Sequence, residues 1–281
     1  MAITKKNKEE IVLLHEGGKR LAGIVASVVE AARPGVSADI LDKLAERLIR
    51  ESGGTPSFKG YRPVGASTVY PAAICVSVND EVVHGIPRRE KILQEGDVVG
   101  IDIGMWWPSS VGATESKFTD TQALSDAPIA RQRGLCTDMA VTIGIGHISK
   151  EARQLLRITK ESLDLGIAAA KIGNTVGDIG YAVEHCLKKY RYGIVRDLAG
   201  HGVGYKVHEE PLIPNYGKAK TGAVLQEGMV IAIEPMATLG DWRVVLQKDK
   251  WTFKTIDNTL AAHFEHTVAV GKNGGEILTL Y

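Results

Sequence analysis

An internal repeat constrains this chain more than any other feature of its sequence. The segment from Leu93 to Asp102 recurs from Leu225 to Glu234 at a constant offset of 132 residues, and Asp102 becomes Glu234 in the second copy. Each copy is a strand-like apolar run that ends in a carboxylate. A chain repeated in this way is expected to place two related halves about a pseudo-twofold axis.

A second pair of carboxylates follows the first. Asp138 and Glu265 each open a later apolar run. A carboxylate on a buried strand has a large desolvation cost unless a cation neutralises it. Four such groups exceed what one small ion requires, and they suit two divalent ions bridged by carboxylates. The sequence therefore predicts a metal site where Asp102, Asp138, Glu234 and Glu265 converge.

Helical and strand-like patterns follow the same duplication. Apolar spacing predicts helices over about 8–32 and 37–51, and again over about 149–171 and 175–190, with Ser37 and Thr175 as N-caps. Strand-like runs follow each helix pair. They are 72–79, 98–104, 230–234, 242–246 and 264–270.

Each half is therefore two helices followed by strands, and neither half is expected to fold alone. The acids can meet only if the halves share one sheet system. We predict a single α+β domain over residues 1–281, with pseudo-repeats of about 8–145 and 149–271.

One stretch breaks the symmetry. The span from Asp102 to Asp138 is 36 residues, whereas the span from Glu234 to Glu265 is 31. We predict an extended hairpin or loop insertion over about 105–131. A tolerated surface insertion is the simpler interpretation, because lengthening a loop adds little closure entropy. A lid or a partner contact is the alternative.

Composition and charge exclude several classes of function. A formal net charge of +1 provides no bulk attraction for nucleic acid or an anionic membrane. No apolar run reaches the roughly 18 residues of a membrane span, and the charged start lacks the apolar region of a signal peptide. The cysteines, Cys75, Cys136 and Cys186, form no CxxC pair, which favours a reduced, cytoplasmic chain.

Three histidines stand at unusual positions. His201 and His208 lie seven residues apart in a glycine-rich segment, and His84 closes a strand-like run at a Gly/Pro turn. An odd spacing on one strand puts two rings on opposite faces, so a turn or bulge must intervene if both serve one site. Taken singly, each is equally consistent with an ordinary loop or surface histidine.

Together these motifs resemble one family, the type I methionine aminopeptidases of the pita-bread fold. The resemblance runs from about Asn7 to Gly271 and is most specific at 200–211, 233–235 and 264–267. It implies an α+β fold of internally duplicated αα-β halves around a central antiparallel or mixed sheet, with the helices packed outside.

The family's five metal ligands fall, in chain order, on Asp102, Asp138, His201, Glu234 and Glu265. By resemblance, Asp138 and Glu265 bridge two divalent ions, Asp102 completes one ion, and His201 and Glu234 complete the other. The metal is Co, Mn, Fe or Zn, since such sites accept several ions and availability decides. Every ligand position is filled, which argues against a non-catalytic relative.

Two departures from the family concern neighbouring residues. The long span before Asp138 leaves Asp120 and Asp126 as rival ligands, but segment 137–142 matches both the family motif and the internal repeat. Val207 stands where family members commonly have an aromatic residue in the substrate pocket.

The resemblance also implies the remaining site residues. The catalytic histidines fall on His84 and His208, which also contact substrate, and the methionine pocket falls on Tyr70, Cys75 and Trp251. The implied activity is removal of the initiator methionine from nascent proteins whose second residue is small.

The implied mechanism begins with a water or hydroxide that bridges the two ions and attacks the first peptide bond. Glu234 relays the proton, His208 polarises the carbonyl group, and His84 helps proton transfer to the leaving amine.

Two alternatives stay open. A proline-directed aminopeptidase P or prolidase shares the five ligands but usually carries an N-terminal domain, and the first helix here starts near residue 8. A non-catalytic pita-bread module would bind peptides and typically lacks ligands. The expected partners are nascent polypeptide N-termini, with a transient ribosome contact. A monomer without membrane or specific nucleic-acid binding is expected.

Overall fold

The computed structural model describes residues 3–63, 66–108 and 134–280. The predicted insertion at about 105–131 therefore lies largely outside the described residues. Its first three positions, 105–107, continue a strand. The single domain over 1–281 and the bounds of its pseudo-repeats stay predictions.

The four helices of the described residues match the predicted ones within two residues at each end. They are α1 (Lys8–Ala31), α2 (Ala38–Glu51), α3 (Lys150–Ala169) and α4 (Val176–Lys188). Ser37 occupies the N-cap position of α2 but makes no side-chain cap bond. Its hydroxyl instead donates to Asp39 at 2.6 Å and to the Arg89 carbonyl at 2.8 Å, so its predicted capping bond is wrong.

The strands are mostly short. In chain order they are β1 (Thr55–Pro56), β2 (Ile74–Val78), β3 (Glu81–Val83), β4 (Val98–Trp107), β5 (Leu135–Gly144), β6 (Gly193–Ile194), β7 (Gly200–Gly202), β8 (Glu209–Ile213), β9 (Val230–Ile233), β10 (Met236–Thr238), β11 (Val244–Leu246), β12 (Phe253–Thr255), β13 (Ala261–His263), β14 (Glu265–Ala269) and β15 (Glu276–Ile277).

Nine of these strands form a central sheet. Its order is β1-β4-β5-β14-β9-β7-β8, with β2 also paired to β4 and β15 to β14. Two further sheets have three strands each, in the orders β13-β10-β6 and β11-β12-β3. The named strands of the described residues pair antiparallel, and an isolated bridge between Lys171 and Gly271 is parallel. The predicted α+β class and sheet type are confirmed.

Each helix pair packs on its own part of this sheet system. Helices α1 and α2 share a core with β2, β4 and β5, where Leu21 and Ile101 are fully buried. Helices α3 and α4 share another core with β9 and β14, where Leu155 and Ile231 are fully buried. Each such side chain contributes about 1.5–3 kcal/mol of transfer free energy. The two cores follow the duplication seen in the sequence.

The two halves meet where β5 pairs with β14. Ala140 of β5 is opposite Glu265 on one side and opposite Asp102 of β4 on the other. Asp138 lies two residues before Ala140 and therefore on the same face. The Thr267 hydroxyl accepts the Asp138 N–H and donates to the Asp138 carbonyl, both at 2.8 Å. This register brings three acids from three adjacent strands to one place.

No helix in the described part of the chain is long and apolar enough to cross a membrane.

Candidate metal centre and substrate pocket

The five predicted metal ligands converge on the junction of the two halves. Donor atoms of Asp138, His201 and Glu265 lie within 4.8 Å of one another, and so do those of Glu234, His263 and Glu265. Asp102 is adjacent, because its strand is paired with that of Asp138. Both donor groups include Glu265, so this carboxylate is placed where two neighbouring ions could share it.

The other half of the sheet supplies His201 and Glu234. His201 of β7 is opposite Ala232 of β9, and Glu234 directly follows that strand. The His201 Nδ1 atom lies 2.8 Å from the Gly202 carbonyl, so Nε2 points to the carboxylates and lies 3.5 Å from Glu234 Oε1. Asn215 donates to the Glu234 carbonyl at 3.0 Å and fixes its backbone.

These donors are buried and incompletely satisfied. Asp102, Asp138, His201 and Glu265 are all less than a tenth exposed. Asp102 Oδ1, Glu265 Oε1 and His263 Nε2 have no hydrogen-bond partner among the described residues. An unpaired buried carboxylate oxygen is costly, and oxygen and imidazole donors together suit a divalent ion of borderline or hard character. The residues present fit the metal that the sequence predicts.

Burial and mutual repulsion disfavour the ionised form of these acids. Burial, and next the neighbouring Glu234 charge, raise the pKa of Asp138 to about 7. Burial raises the pKa of Glu234 to about 7 as well. Burial, and next the neighbouring Asp138 charge, hold the pKa values of Asp102 and Glu265 well above their usual range. A bound cation reverses this balance because it stabilises the charged form.

A tight turn brings the two spaced histidines together. Strand β7 stops at Gly202, and Gly204 has a φ of +134°. The His201 and His208 ring centroids lie 4.3 Å apart, edge to face. The seven-residue spacing is therefore compatible with one site, because the intervening backbone is not a continuous strand.

His84 and His208 both stay neutral near physiological pH. Burial, and next the nearby His263 and His201, lower the pKa of His84 to about 4. Desolvation inside the pocket, and next the nearby His201, also lower the pKa of His208, although the residue as a whole is exposed to solvent. The Tyr61 hydroxyl lies 2.6 Å from His208 Nδ1. Each ring therefore presents one N–H and one lone pair for hydrogen bonding.

A single pocket of about 530 Å³, counting the solvent at its mouth, contains all ten predicted site residues. They are Tyr70, Cys75, His84, Asp102, Asp138, His201, His208, Glu234, Trp251 and Glu265. Phe58, Tyr61 and Pro63 also line it. The carboxylates and histidines thus border a wall of apolar and aromatic groups.

Hydrogen bonds fix the aromatic part of that wall. The Tyr70 hydroxyl donates to the Ile74 and Gly85 carbonyls at 3.1 and 3.2 Å. Trp251 packs edge to face on Tyr70, with centroids 5.2 Å apart, and its Nε1–H donates to Thr68 at 3.0 Å. The rings have satisfied polar atoms and leave their apolar faces for a ligand.

Two polar side chains at this site, those of Tyr61 and His263, were not predicted from the sequence. Tyr61 lies in a segment without periodic pattern, so nothing local connects it with His208. His263 carried a signal that was overlooked: it precedes Glu265 by two residues, and residues so spaced share a strand face. Its Nε2 atom lies 3.3 Å from Glu234 Oε2 and 3.8 Å from Glu265 Oε2.

Comparisons with known proteins identify the family. Metallopeptidase family M24 matches residues 13–116 and 120–272. A methionine aminopeptidase of Aquifex aeolicus is 42% identical over 281 residues and covers 99% of each chain. One of Clostridium acetobutylicum is 41% identical over 275 residues and covers 98% of each.

Solved structures give the same result. A methionine aminopeptidase of Thermotoga maritima superposes with a TM-score of 0.86 at 37% identity, and all of both chains is covered. A prolidase of Pyrococcus furiosus has a TM-score of 0.69 at 24% identity, with 65% of its chain covered, and shows the fold alone. Because the family match and the close relatives each span nearly the whole chain, the protein belongs to metallopeptidase family M24 and, within it, to the methionine aminopeptidases.

Proposed function

We propose that this protein removes the initiator methionine from nascent polypeptides whose second residue is small. The observation that carries the proposal is the shared pocket: buried carboxylates with unpartnered oxygens border an aromatic wall large enough for an apolar side chain. This combination suits metal-dependent hydrolysis at the end of a peptide. The nascent N-terminus is the substrate.

The same proposal assigns the metal ligands. Asp138 and Glu265 would be shared by two divalent ions, Asp102 would complete one ion, and His201 and Glu234 would complete the other. The two groups of converging donors both include Glu265, which supports a shared role for that carboxylate. Bound divalent ions supply Lewis acidity and make a hydroxide-like nucleophile available near neutral pH. Co, Mn, Fe and Zn all suit these donors.

Glu234 is the group that takes and relays the proton. Its two oxygens face different histidines, since Oε1 lies 3.5 Å from His201 Nε2 and Oε2 lies 3.3 Å from His263 Nε2. The side chain lines the substrate pocket. A carboxylate in that position can hold a proton and deliver it within the pocket.

His208 is the hydrogen-bond donor to the scissile carbonyl. The Tyr61 hydroxyl can donate to Nδ1 at 2.6 Å, and this favours the tautomer that carries its proton on Nε2. A preplaced N–H stabilises the negative charge that develops on the carbonyl oxygen. His84, which belongs to the first half of the repeat, contacts the substrate and helps proton transfer to the leaving amine.

The methionine side chain lies against Tyr70, Cys75 and Trp251. Burial raises the pKa of Cys75 well above its usual value, so the thiol stays neutral and acts as a small apolar group. A thioether makes favourable contacts with aromatic rings, which this wall supplies. Phe58 extends the same wall.

The remaining proposals concern the setting of the enzyme. We expect a cytoplasmic monomer that contacts the ribosome transiently and binds no specific nucleic acid. The near-neutral net charge supports weak rather than permanent contact with an anionic ribosome.

One experiment separates the alternatives. Metal-free protein is incubated with Mn²⁺, Co²⁺ or Fe²⁺ and two substrates, a Met-Gly-X peptide and an X-Pro peptide, with a chelator as control. Release of methionine from the first peptide alone supports the proposal. Cleavage of the X-Pro peptide would favour a proline-directed enzyme, and no cleavage with any metal would favour a peptide-binding module.

A further inference from the structure

His263 belongs to the site but has no role in the function proposed above. The side chain is 4% exposed, and Nε2 has no hydrogen-bond partner among the described residues. An unpartnered buried imidazole nitrogen carries a desolvation cost that the fold does not offset. Such a group calls for a partner that is in place only when the site is complete.

The backbone holds His263 firmly in position. Thr142 of β5, itself buried, accepts the His263 N–H at 2.9 Å and donates to the His263 carbonyl at 2.6 Å. On its other side the residue is opposite Met236 of β10. The backbone of His263 is thus held on both sides, and this position directs its ring at the carboxylates.

The contacts of Nε2 define its chemistry. The atom faces two carboxylates, Glu234 Oε2 at 3.3 Å and Glu265 Oε2 at 3.8 Å. A nitrogen lone pair directed at two carboxylates would be repelled, so the tautomer with a proton on Nε2 is favoured. The terminal torsion of a glutamate is soft, so a small rotation of the Glu234 carboxylate aligns an oxygen with this N–H.

We propose that His263 is a positioning residue whose Nε2–H donates to Glu234 and orients that carboxylate at the metal centre. The inference rests on the proposed metal site. Oε2 would accept this hydrogen bond, which leaves Oε1, on the side of His201, free for the ion. Ligating carboxylates are commonly oriented by such outer hydrogen bonds, and losing one lowers metal affinity about 10–100-fold.

The alternative is that His263 binds a metal ion directly. A ligand needs a free lone pair on Nε2, whereas a donor needs a proton there. A glutamine side chain separates the two when the Co²⁺ spectrum is read beside it. Its amide N–H can donate in place of Nε2–H and leave the spectrum unchanged, whereas ligation through its carbonyl oxygen would replace a nitrogen ligand and shift the spectrum. His263→Gln should therefore restore what His263→Ala loses if the residue is a donor.

The test compares metal-free wild type, His263→Ala and His263→Gln by calorimetric titration with Mn²⁺. The visible spectrum with Co²⁺ and the values of kcat and KM are also measured. His266→Gln is the matched control, because His266 lies in the neighbouring strand and bonds Thr279 at 2.9 Å rather than the carboxylates. Thermal unfolding of each metal-free variant checks that it folds.

We expect His263→Ala to bind one ion about 10–100-fold more weakly than wild type and to lower kcat more than KM. His263→Gln should recover most of the affinity with the wild-type Co²⁺ spectrum, and His266→Gln should match wild type.

Unchanged affinity in His263→Ala would overturn the inference and leave the proposed function intact. A shifted Co²⁺ spectrum in His263→Gln, with metal affinity still as low as in His263→Ala, would also overturn it and would make His263 a metal ligand. A wild type that binds no ion would overturn both proposals.

Discussion

Buried carboxylates occur in two settings in this fold. In the first setting, other groups of the chain neutralise the charge and bond both oxygens. Glu209 forms an ion pair with Lys6, in which Nζ lies 2.8 Å from Oε2, and both side chains are almost completely buried. Its Oε1 atom accepts the backbone N–H groups of Tyr205 and Lys206, and the Thr4 hydroxyl donates to Oε2. Every charge and oxygen there has a protein partner.

The carboxylates at the junction of the halves are the second setting. Asp102 Oδ1 and Glu265 Oε1 lack partners among the described residues, and burial raises the pKa of both groups well above the usual range. The comparison shows what distinguishes a structural acid from a binding acid. The charge of Glu209 is neutralised by Lys6 of the same chain, whereas the carboxylates at the junction require a cation from solution.

The largest effect is expected from replacing a bridging acid. Asp138→Ala removes a carboxylate that both ions would share, so we expect loss of metal binding and a fall in kcat/KM of about 10³-fold or more, because several kcal/mol of transition-state stabilisation disappear. Bound metal and methionine release measure this. Asp120→Ala and Asp126→Ala are controls that should keep both properties, and the ligand assignment fails if either behaves like Asp138→Ala.

The next effect should separate chemistry from metal binding. His208→Ala removes a hydrogen-bond donor but no proposed ligand, so kcat should fall about 10²–10⁴-fold while metal affinity stays near wild type. Steady-state kinetics and a metal titration on the same preparation measure both quantities. Loss of metal in this variant would place His208 among the ligands instead.

Breaking the satisfied pair should affect folding rather than metal. Lys6→Met leaves the Glu209 charge buried without its cation, which should lower the free energy of unfolding by about 3–5 kcal/mol. Denaturant unfolding of the metal-free protein measures this loss. The double variant Lys6→Met/Glu209→Gln has no unpaired charge and should recover much of the stability. A single variant as stable as wild type would contradict the contrast between the two settings.

The smallest effect concerns pH. Asp138 and Glu234 have folded-state pKa values raised to about 7, so their contribution to stability is full at low pH and is lost as pH rises through 7. The buried histidines have lowered pKa values, about 4 for His84 and His263, so they change stability mainly below pH 6.5. From about pH 6.5 to 8 the histidines change stability little, so the pH dependence of stability in that interval reports mainly on the acids.

The melting temperature of metal-free protein should therefore fall by several degrees from about pH 6.5 to 8. Saturating Mn²⁺ should remove that fall, because the ion favours the ionised carboxylates. Glu234→Gln eliminates one of the titrating groups and should flatten the metal-free profile. A melting temperature that rises over this interval in the absence of metal would contradict the account.

Much of this site follows from local pattern in the sequence. The repeat predicted that Asp102 and Glu234 each end a strand. Glu234 does follow β9, whereas Asp102 lies inside β4, which continues to Trp107. Strand register brings the acids together, since Ala140 lies opposite both Asp102 and Glu265. Helix ends were also predicted closely, because apolar periodicity is a local signal. The metal donors were accessible to sequence reasoning for this reason.

The parts that sequence analysis missed depend on long-range packing. Tyr61 bonds His208 across 147 residues, and its own segment has no periodic pattern. The Ser37 hydroxyl was expected to cap α2, but it contacts Asp39 and the Arg89 carbonyl instead, since tertiary neighbours compete with local capping. The role of His263 depends likewise on Glu234, which follows β9 and comes beside the ring only in the folded chain.

The junction of the two halves requires divalent cations that the chain itself does not supply. Calorimetric titration of metal-free protein with Mn²⁺, followed by assay of methionine release at each point, tests this requirement directly. We expect two bound ions per chain and activity that rises with occupancy. Full methionine release from protein that binds no divalent ion would contradict this requirement.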